Sequence, residues 1–423
     1  MPDWHIHHRS ACRLCGAASP RRFLHFANMP LTDDFVTAAR RGQEFRADLD
    51  IYFCPACGAA QTLHDVDVGD YYRDYRYTVS ASPLARRFMQ RLAEETFRRF
   101  QLRPGARVLE IGSGDGHQLA CFRDCGARVL GFEPSRDLVA ASRAAGVDAL
   151  QCLFGAETVA RIPSDMRPAQ VVLLTYTFDH LPDPPGFLEA VRPVLDPERG
   201  VLLIEVHDLA KIVARCETCL FEHEHTIYLH EPSMERALER SGFKLLTADL
   251  LPEKERRGNS LLVAAGLRAG EHDALTLPRP LPGREGSSPR DPLDDWATYE
   301  RFGQRVEQAH AGLRAYVRKQ LAQGRRVAGY GAGGRGVMTL AMAGLTAGDV
   351  VFLCDRNASF HGLYTPATHV PVVPPERLLA EPIDEVIVFS YGYMDEIRAE
   401  LREFEARGGR FTSVLDLLSC GPS

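Results

Sequence analysis

The sequence has no apolar run near the roughly 20 residues that a membrane-spanning helix requires. Its start, Met1-Pro-Asp-Trp-His5, lacks the positive charge and apolar stretch of a secretory leader. Basic residues are not in excess: 50 Lys and Arg face 56 Asp and Glu, a formal net charge of -6. That balance argues against nucleic acid as the main partner. No repeat of short solenoid period is present. The expectation is a cytoplasmic chain with neither a membrane nor a nucleic-acid partner. A length of 423 residues leaves room for about three domains, and 45% hydrophobic with 25% charged residues is a globular composition.

Cysteine is plentiful by contrast, with eleven in the chain. Four of them form two knuckles, Cys12-Arg-Leu-Cys15-Gly and Cys54-Pro-Ala-Cys57-Gly. Each sets two thiolates on a tight turn, and the two together would close a tetrahedron around zinc. Without an export signal, metal thiolates are favoured over disulfides. Cys12, Cys15, Cys54 and Cys57 leave no open coordination position, so the ion is assigned a structural role. A third pair, Cys216 and Cys219, has no partner pair and reads as incidental. The cluster His5-Ile-His-His8 reads as a solvated terminus.

Patterning divides the chain into residues 1–82 with the cysteine pairs, 83–270 with alternating helices and strands, a Pro-, Gly- and Ser-rich linker at 271–295, and a second α/β block at 296–423. Strands are expected at 107–111, 128–132, 170–175, 200–206, 244–248 and 260–266. The C-terminal block adds a helix over 296–323 and strands at 326–330, 350–353 and 385–390. The alternation implies an α/β fold with mostly parallel sheets.

The strand at 107–111 opens into Gly112-Ser-Gly114-Asp-Gly116, and the next strand ends in Glu133. Spaced glycines let backbone approach a ligand closely, and an acid at the end of the second strand can accept two ribose hydroxyls. The form Glu110-x-Gly112-x-Gly114-x-Gly116 looks like the first motif of class I methyltransferases, which hold S-adenosylmethionine. Candidate cofactor contacts are Glu110, Gly112, Gly114, Asp115 and Gly116 on the first loop. Glu133 and Pro134 follow on the second, and Thr175 ends the strand at 170–175.

Residues Phe221-Glu-His-Glu-His225 place two carboxylates and two imidazoles within four positions, which is costly inside a core. They read either as a charged, solvated loop or as a general base with an acid tuning it. His180 follows the strand ending at Thr175, where ligands of open α/β sheets sit. A second glycine loop, Gly331-Ala-Gly-Gly-Arg-Gly336, is followed at Asp355 by an acid near ribose-binding spacing. Alone it would suit a nicotinamide dinucleotide, so an NAD(P)-dependent oxidoreductase stays open as an alternative.

In order along the chain, these pieces resemble the sugar C-methyltransferases of deoxysugar biosynthesis. The resemblance is carried by the two cysteine knuckles, Met29-Pro-Leu-Thr-Asp-Asp-Phe35, Tyr75-Arg-Tyr77, the first glycine loop, His180-Leu-Pro-Asp183 and His223-Glu-His225. It continues through Gly329-Tyr-Gly-Ala332, Cys354-Asp-Arg-Asn357 and Gly362-Leu-Tyr-Thr-Pro-Ala-Thr-His369. It implies a zinc-binding N-terminal domain, a class I Rossmann-like methyltransferase domain and a C-terminal Rossmann-like domain. It also implies a small-molecule substrate, a nucleotide-linked keto-deoxysugar; a monomer or small homo-oligomer is expected. His225 would be the base that removes a proton from the carbon next to the ketone, with Glu224 beside it, His180 near the reacting carbon and Glu222 in the same cluster. Tyr75, Tyr77, Tyr176, Arg335 and Asp355 would face the substrate, with Arg335 either meeting phosphate or solvated at its helix start. Two positions depart from the family: Tyr176 stands for an asparagine and Glu222 for a tyrosine, so the acceptor is expected to differ. Methyl transfer to oxygen or nitrogen of another natural product remains the alternative within the class.

Overall fold

In the computed structural model, residues 4–67, 82–272 and 291–419 are described. The central sheet has seven strands: β1 (Arg107–Ile111), β2 (Arg128–Phe132), β3 (Ala149–Leu150), β4 (Val171–Thr175), β5 (Val201–Val206), β6 (Phe243–Thr247) and β7 (Leu261–Leu267). Their order is β6-β7-β5-β4-β1-β2-β3. All six residues of β5 are buried, as expected of a strand covered on both faces. The pairs among β1 to β5 are parallel, but β7 runs antiparallel to both β5 and β6. The mostly parallel expectation therefore holds except at this edge, where β6 returns to β7 without the crossover helix that parallel pairing requires.

The N-terminal region builds a four-stranded antiparallel sheet from Arg21–Met29, Ala47–Phe53 and Ala60–Gln61, completed by Ile227–Tyr228 from the middle block. Ile6–His8 pairs with His64–Val66, and His5, His7 and His8 are exposed, in keeping with a solvated cluster.

The C-terminal block is a five-stranded parallel sheet: β8 (Val327–Tyr330), β9 (Leu353–Cys354), β10 (Val372–Val373), β11 (Glu385–Val388) and β12 (Arg410–Ser413), in the order β10-β9-β8-β11-β12. The strand expected at 350–353 is regular only at Leu353–Cys354, paired with Gly329 and Tyr330, although Val351 N–H donates to the Val327 carbonyl and Gly329 N–H to the Phe352 carbonyl just before it. The helix Trp296–Ala322 starts where the Asp295 side chain accepts from Ala297 N–H. Its buried stripe, Tyr299, Phe302, Val306, Leu313 and Val317, has helical spacing. That stripe packs into one core with Leu49 and Phe53 of the N-terminal sheet, Phe221 and Tyr228 of the middle block, and Val327 and Ile387 of the last sheet. Hydrophobic burial thus fixes the three regions around one point, the segment that follows β5. Among the described residues no helix is long and apolar enough to cross a membrane.

Candidate active site

The turn after β1 has left-handed backbone at Gly112, Gly114 and Gly116. A Cβ on Gly114 would meet nothing within 4 Å: the loop faces open space that a side chain would fill. Glu133 clasps this turn. One carboxylate oxygen accepts from Gly114 N–H at 2.9 Å and the other from Ser135 N–H at 2.8 Å. A carboxylate has about four acceptor sites, so capacity for a ribose remains. Asp115 instead caps the following helix, accepting from His117 N–H at 3.2 Å. Glu110 is buried, with one oxygen lacking a protein partner, and so is the Ser113 hydroxyl. Orphaned buried acceptors beside an open glycine cradle fit a polar ligand bound against the loop. Thr175 and Pro134, at the ends of β4 and β2, are half-buried on the same edge of the sheet.

The solvated-loop alternative for residues 222–225 does not hold: Glu222, His223, Glu224 and His225 are all buried. Their side chains divide between two sides. His223 donates through Nε2 to the Met29 carbonyl at 3.1 Å, which leaves Nδ1 to accept from His64 Nε2 at 2.9 Å. Glu224 accepts from Thr32 N–H at 2.9 Å and from its hydroxyl at 3.1 Å. Both therefore anchor the segment to the N-terminal region. This corrects the expected pairing of Glu224 with His225: the carboxylate beside that imidazole is Glu222, with Oε2 3.8 Å from Nε2.

His225 Nδ1 donates to the Leu220 carbonyl at 2.9 Å, so the lone pair of the neutral ring sits on Nε2. The His180 and His207 rings lie 4.6 and 4.9 Å from it, centroid to centroid. Burial opposes charge on His225, but the Glu222 and Asp179 carboxylates outweigh it and its pKa is raised. Burial drives the other two rings down, His180 to about 3 and His207 to about 4. Glu222 is pushed up to about 8, mainly by burial.

His207 and Asp179 were not singled out by the sequence. His207 directly follows β5, Asp179 lies just past β4, and the pair bond at 3.0 Å. The available signal was position: β4 and β5 are neighbours, and functional groups gather beyond the carboxyl ends of such strands. A lone histidine after an apolar run does not announce itself otherwise.

Tyr176 has a left-handed φ of 51°, a conformation that costs about 1–2 kcal/mol for a non-glycine residue. Its hydroxyl donates to the Asn259 carbonyl at 2.8 Å, so it is committed to backbone. The ring forms a wall, 4.6 Å from His207, with the Arg257 guanidinium 4.8 Å from its centroid. Arg257 is itself paired with buried Glu205 near the end of β5.

The second glycine loop repeats the clasp of the first. Asp355 accepts from Ala332 N–H at 2.7 Å and Asn357 N–H at 2.8 Å. Its surroundings differ, however: a Cβ on Gly334 would lie 2.7 Å from Glu222 Oε1 and 3.5 Å from Thr32 Cγ2. The start of this helix closes over the acid–base cluster. Arg335 is half-buried, not solvated, with its guanidinium 5.1 Å from the Tyr391 ring centroid and its charge felt at His207 and Glu222. Tyr75 and Tyr77 lie outside the described residues.

The four knuckle cysteines converge, with Sγ atoms 3.6 Å apart for Cys12–Cys57 and for Cys15–Cys54. The knuckles repeat each other: Gly16 N–H donates to the Cys12 carbonyl at 2.9 Å and Gly58 N–H to the Cys54 carbonyl at 2.8 Å. Both glycines have φ above +70°, which a side chain would strain. Gln61 donates to Cys12 Sγ at 2.9 Å, and Arg236 donates to the Cys57 carbonyl at 2.9 Å. Four converging thiolates with such outer partners fit a zinc ion.

Three family models match the chain in order: a zinc binding domain over residues 12–72, a methyltransferase domain over residues 84–248 and a C-methyltransferase C-terminal domain over residues 288–415. The chain is 28% identical over 404 residues to the C-methyltransferase NovU of Streptomyces niveus, covering 95% of this chain and 94% of that one. Among solved structures it is similar to the PH0226 protein from Pyrococcus horikoshii OT3, at 18% identity and a TM-score of 0.37 over 47% of this chain and 98% of that one. It is also similar to an S-adenosylmethionine-dependent methyltransferase from Clostridium acetobutylicum ATCC 824, at 12% identity and a TM-score of 0.34 over 43% and 91% of the two chains.

Proposed function

We propose that this chain, a member of the S-adenosylmethionine-dependent C-methyltransferase family with a zinc-binding N-terminal domain, methylates a carbon next to a ketone in a nucleotide-linked deoxysugar or a related small acceptor. When bound, S-adenosylmethionine supplies an electrophilic methyl, whose bond to sulfur breaks as the acceptor carbon's electron pair takes it. Glu133 and the Gly112–Gly116 loop would hold it. The observation that carries the proposal is the tautomer of His225. With Nδ1–H fixed on the Leu220 carbonyl, Nε2 is left as a lone pair inside a buried cluster. It can take the proton from the acceptor carbon, and Glu222 at 3.8 Å stabilises the imidazolium that results. His180 stands beside this nitrogen as a second contact to the acceptor. Tyr176 shapes the cleft with its ring. Arg335 brings a fixed positive charge from the C-terminal region, suited to an acceptor phosphate. Asp355 supports the Arg335 loop through backbone. The nicotinamide alternative loses ground at Gly334, where Glu222 and Thr32 occupy the space beside the helix start.

Mass spectrometry and NMR of the methylated product test the proposal. A methyl on carbon supports it; a methyl on oxygen or nitrogen moves the enzyme to the alternative within its class. Independently, Glu133→Ala is expected to weaken S-adenosylmethionine binding in calorimetry by about ten- to a hundredfold, the range for hydrogen bonds to a charged group. Thermal unfolding of the same variant separates this from loss of the clasp on Gly114. Unchanged affinity would remove the ribose contact.

A further inference from the structure

Asp179 ties together the ends of β4 and β5 and the acid–base segment. Its backbone carbonyl accepts from Thr226 N–H at 2.7 Å and from the Thr226 hydroxyl at 3.2 Å, directly after His225. Its side chain turns to two imidazoles: one carboxylate oxygen and one nitrogen each of His207 and His225 lie within 4.8 Å of one another. A carboxylate only accepts, so the 3.0 Å contact with His207 Nδ1 is an N–H donated by that ring. The other carboxylate oxygen is buried and meets no donor among the described residues. A buried acceptor left in that state is costly, the more so for an anion. A positive charge on His225 would offset the cost, and it arises when that ring takes a proton.

We propose that Asp179 is a positioning residue for methyl transfer: clamped by His207, it is the fixed counter-charge for the imidazolium that His225 becomes. The inference rests on the reading of His225 as the base. The other titratable groups facing His225 are Glu222 and Glu224 on its own segment, His180 past β4, and Tyr228 on the following strand. Glu224 is committed to Thr32. Burial pushes Glu222 up to about 8, so near neutrality it carries a proton. Burial also keeps His180 and Tyr228 uncharged. At Asp179 burial opposes the charge too, but the His207 hydrogen bond and the neighbouring imidazoles hold the carboxyl well below its usual range. Arg335 reaches the cluster from the C-terminal region, and its charge is felt at His207 and Glu222. Charge fixed in place before it is needed costs no reorganisation when the imidazolium forms. The base works only when neutral, so turnover climbs with pH through the His225 pKa. Removing the Asp179 charge lowers that pKa and weakens the base.

The test is an NMR titration of the full zinc-loaded chain carrying 13C-labelled histidine, with S-adenosylhomocysteine added and no acceptor. The His225 signal is the one missing from His225→Ala. Asp179→Asn keeps the shape and an oxygen for the His207 N–H, and the His225 pKa should fall by about one unit, the low end of what an opposite charge exerts at this range. His207→Ala strips Asp179 of its donor and should move the titration the same way. His207→Asn can return an N–H to the Nδ1 position and should restore it, whatever becomes of the rate. Zinc content and circular dichroism check folding. The pH–rate profiles of native chain and Asp179→Asn should cross. The variant is slower on the plateau, by up to about tenfold for a base one unit weaker, and faster at low pH, where more of its base is neutral. A rate lowered equally at every pH marks a merely structural role and overturns the proposal. So does a His225 titration unmoved by both Asp179→Asn and His207→Ala. Failure of the base reading looks different: near-normal turnover in His225→Ala, with the titration shift intact, removes the base and with it the role given to Asp179.

Discussion

His225→Ala is expected to lower turnover at least about a hundredfold, the low end of what a positioned general base contributes, while S-adenosylmethionine binds as before. The separation follows from the architecture. The Gly112–Gly116 loop, proposed to hold the donor, follows β1 and is held by Glu133 at the end of β2. His225 sits on the segment after β5 and is held by Leu220. Neither shares a hydrogen bond with the other. Truncation strands the Leu220 carbonyl in a buried setting, at about 1–3 kcal/mol, which a folded domain of this size tolerates. Single-turnover rates with calorimetric donor affinity check the split. A drop in donor affinity matching the drop in rate would mean the site had collapsed. Near-normal turnover would reject the base. Partial recovery with added imidazole would tie the loss to the missing ring.

The elements that position this site were legible in the sequence because their signals are local. Apolar runs such as Val201–Val206 mark buried strands, and glycine spacing marks the turn at 112–116. The buried depth of 222–225 was not legible, because its compensation comes from far away: Thr32, which satisfies Glu224, is 192 residues distant in sequence, and Met29 is 194 from His223. On composition alone four ionisable groups in a row favour solvent. Long-range bonds from another region reverse that. The same holds for the strand Ile227–Tyr228, two residues long and paired to the N-terminal sheet. Glu224 is a case in point: its carboxylate accepts from Thr32, a partner that the local sequence does not reveal. The family departures gain a physical meaning together. Tyr176 packs on His207, and Glu222 lies between His225 and Gly334, so each touches a residue of the buried cluster or its cover.

Loss of the zinc is expected to abolish turnover by the same route. Structural zinc contributes an apparent ~10–16 kcal/mol in small zinc-binding peptides, as much as the ~5–15 kcal/mol that holds a whole domain folded. Cys54→Ser leaves three thiolates and should lower tightly held zinc by one equivalent per chain. The knuckles fix the ends of the N-terminal sheet through Cys12, Cys54 and Gln61. When they open, Ala60–Gln61 loses its hold on Ile227–Tyr228, and Thr32, Met29 and His64 no longer fix Glu224 and His223. The acid–base segment then loses its anchors although no zinc ligand touches it. Hydrogen exchange should show residues 221–228 losing protection in the variant. The strands β1, β2 and β4 keep one face in a core apart from the knuckles, around Val108, Leu173 and Leu203, while the other face, through Leu109, Leu130 and Val172, shares the core of Cys12, Cys54 and Cys57; they should lose less protection than residues 221–228 and keep measurable donor binding. Full protection and full turnover in a protein lacking that zinc would sink the four-thiolate site. Loss of donor binding equal to loss of turnover would show instead that the whole chain unfolds as one unit.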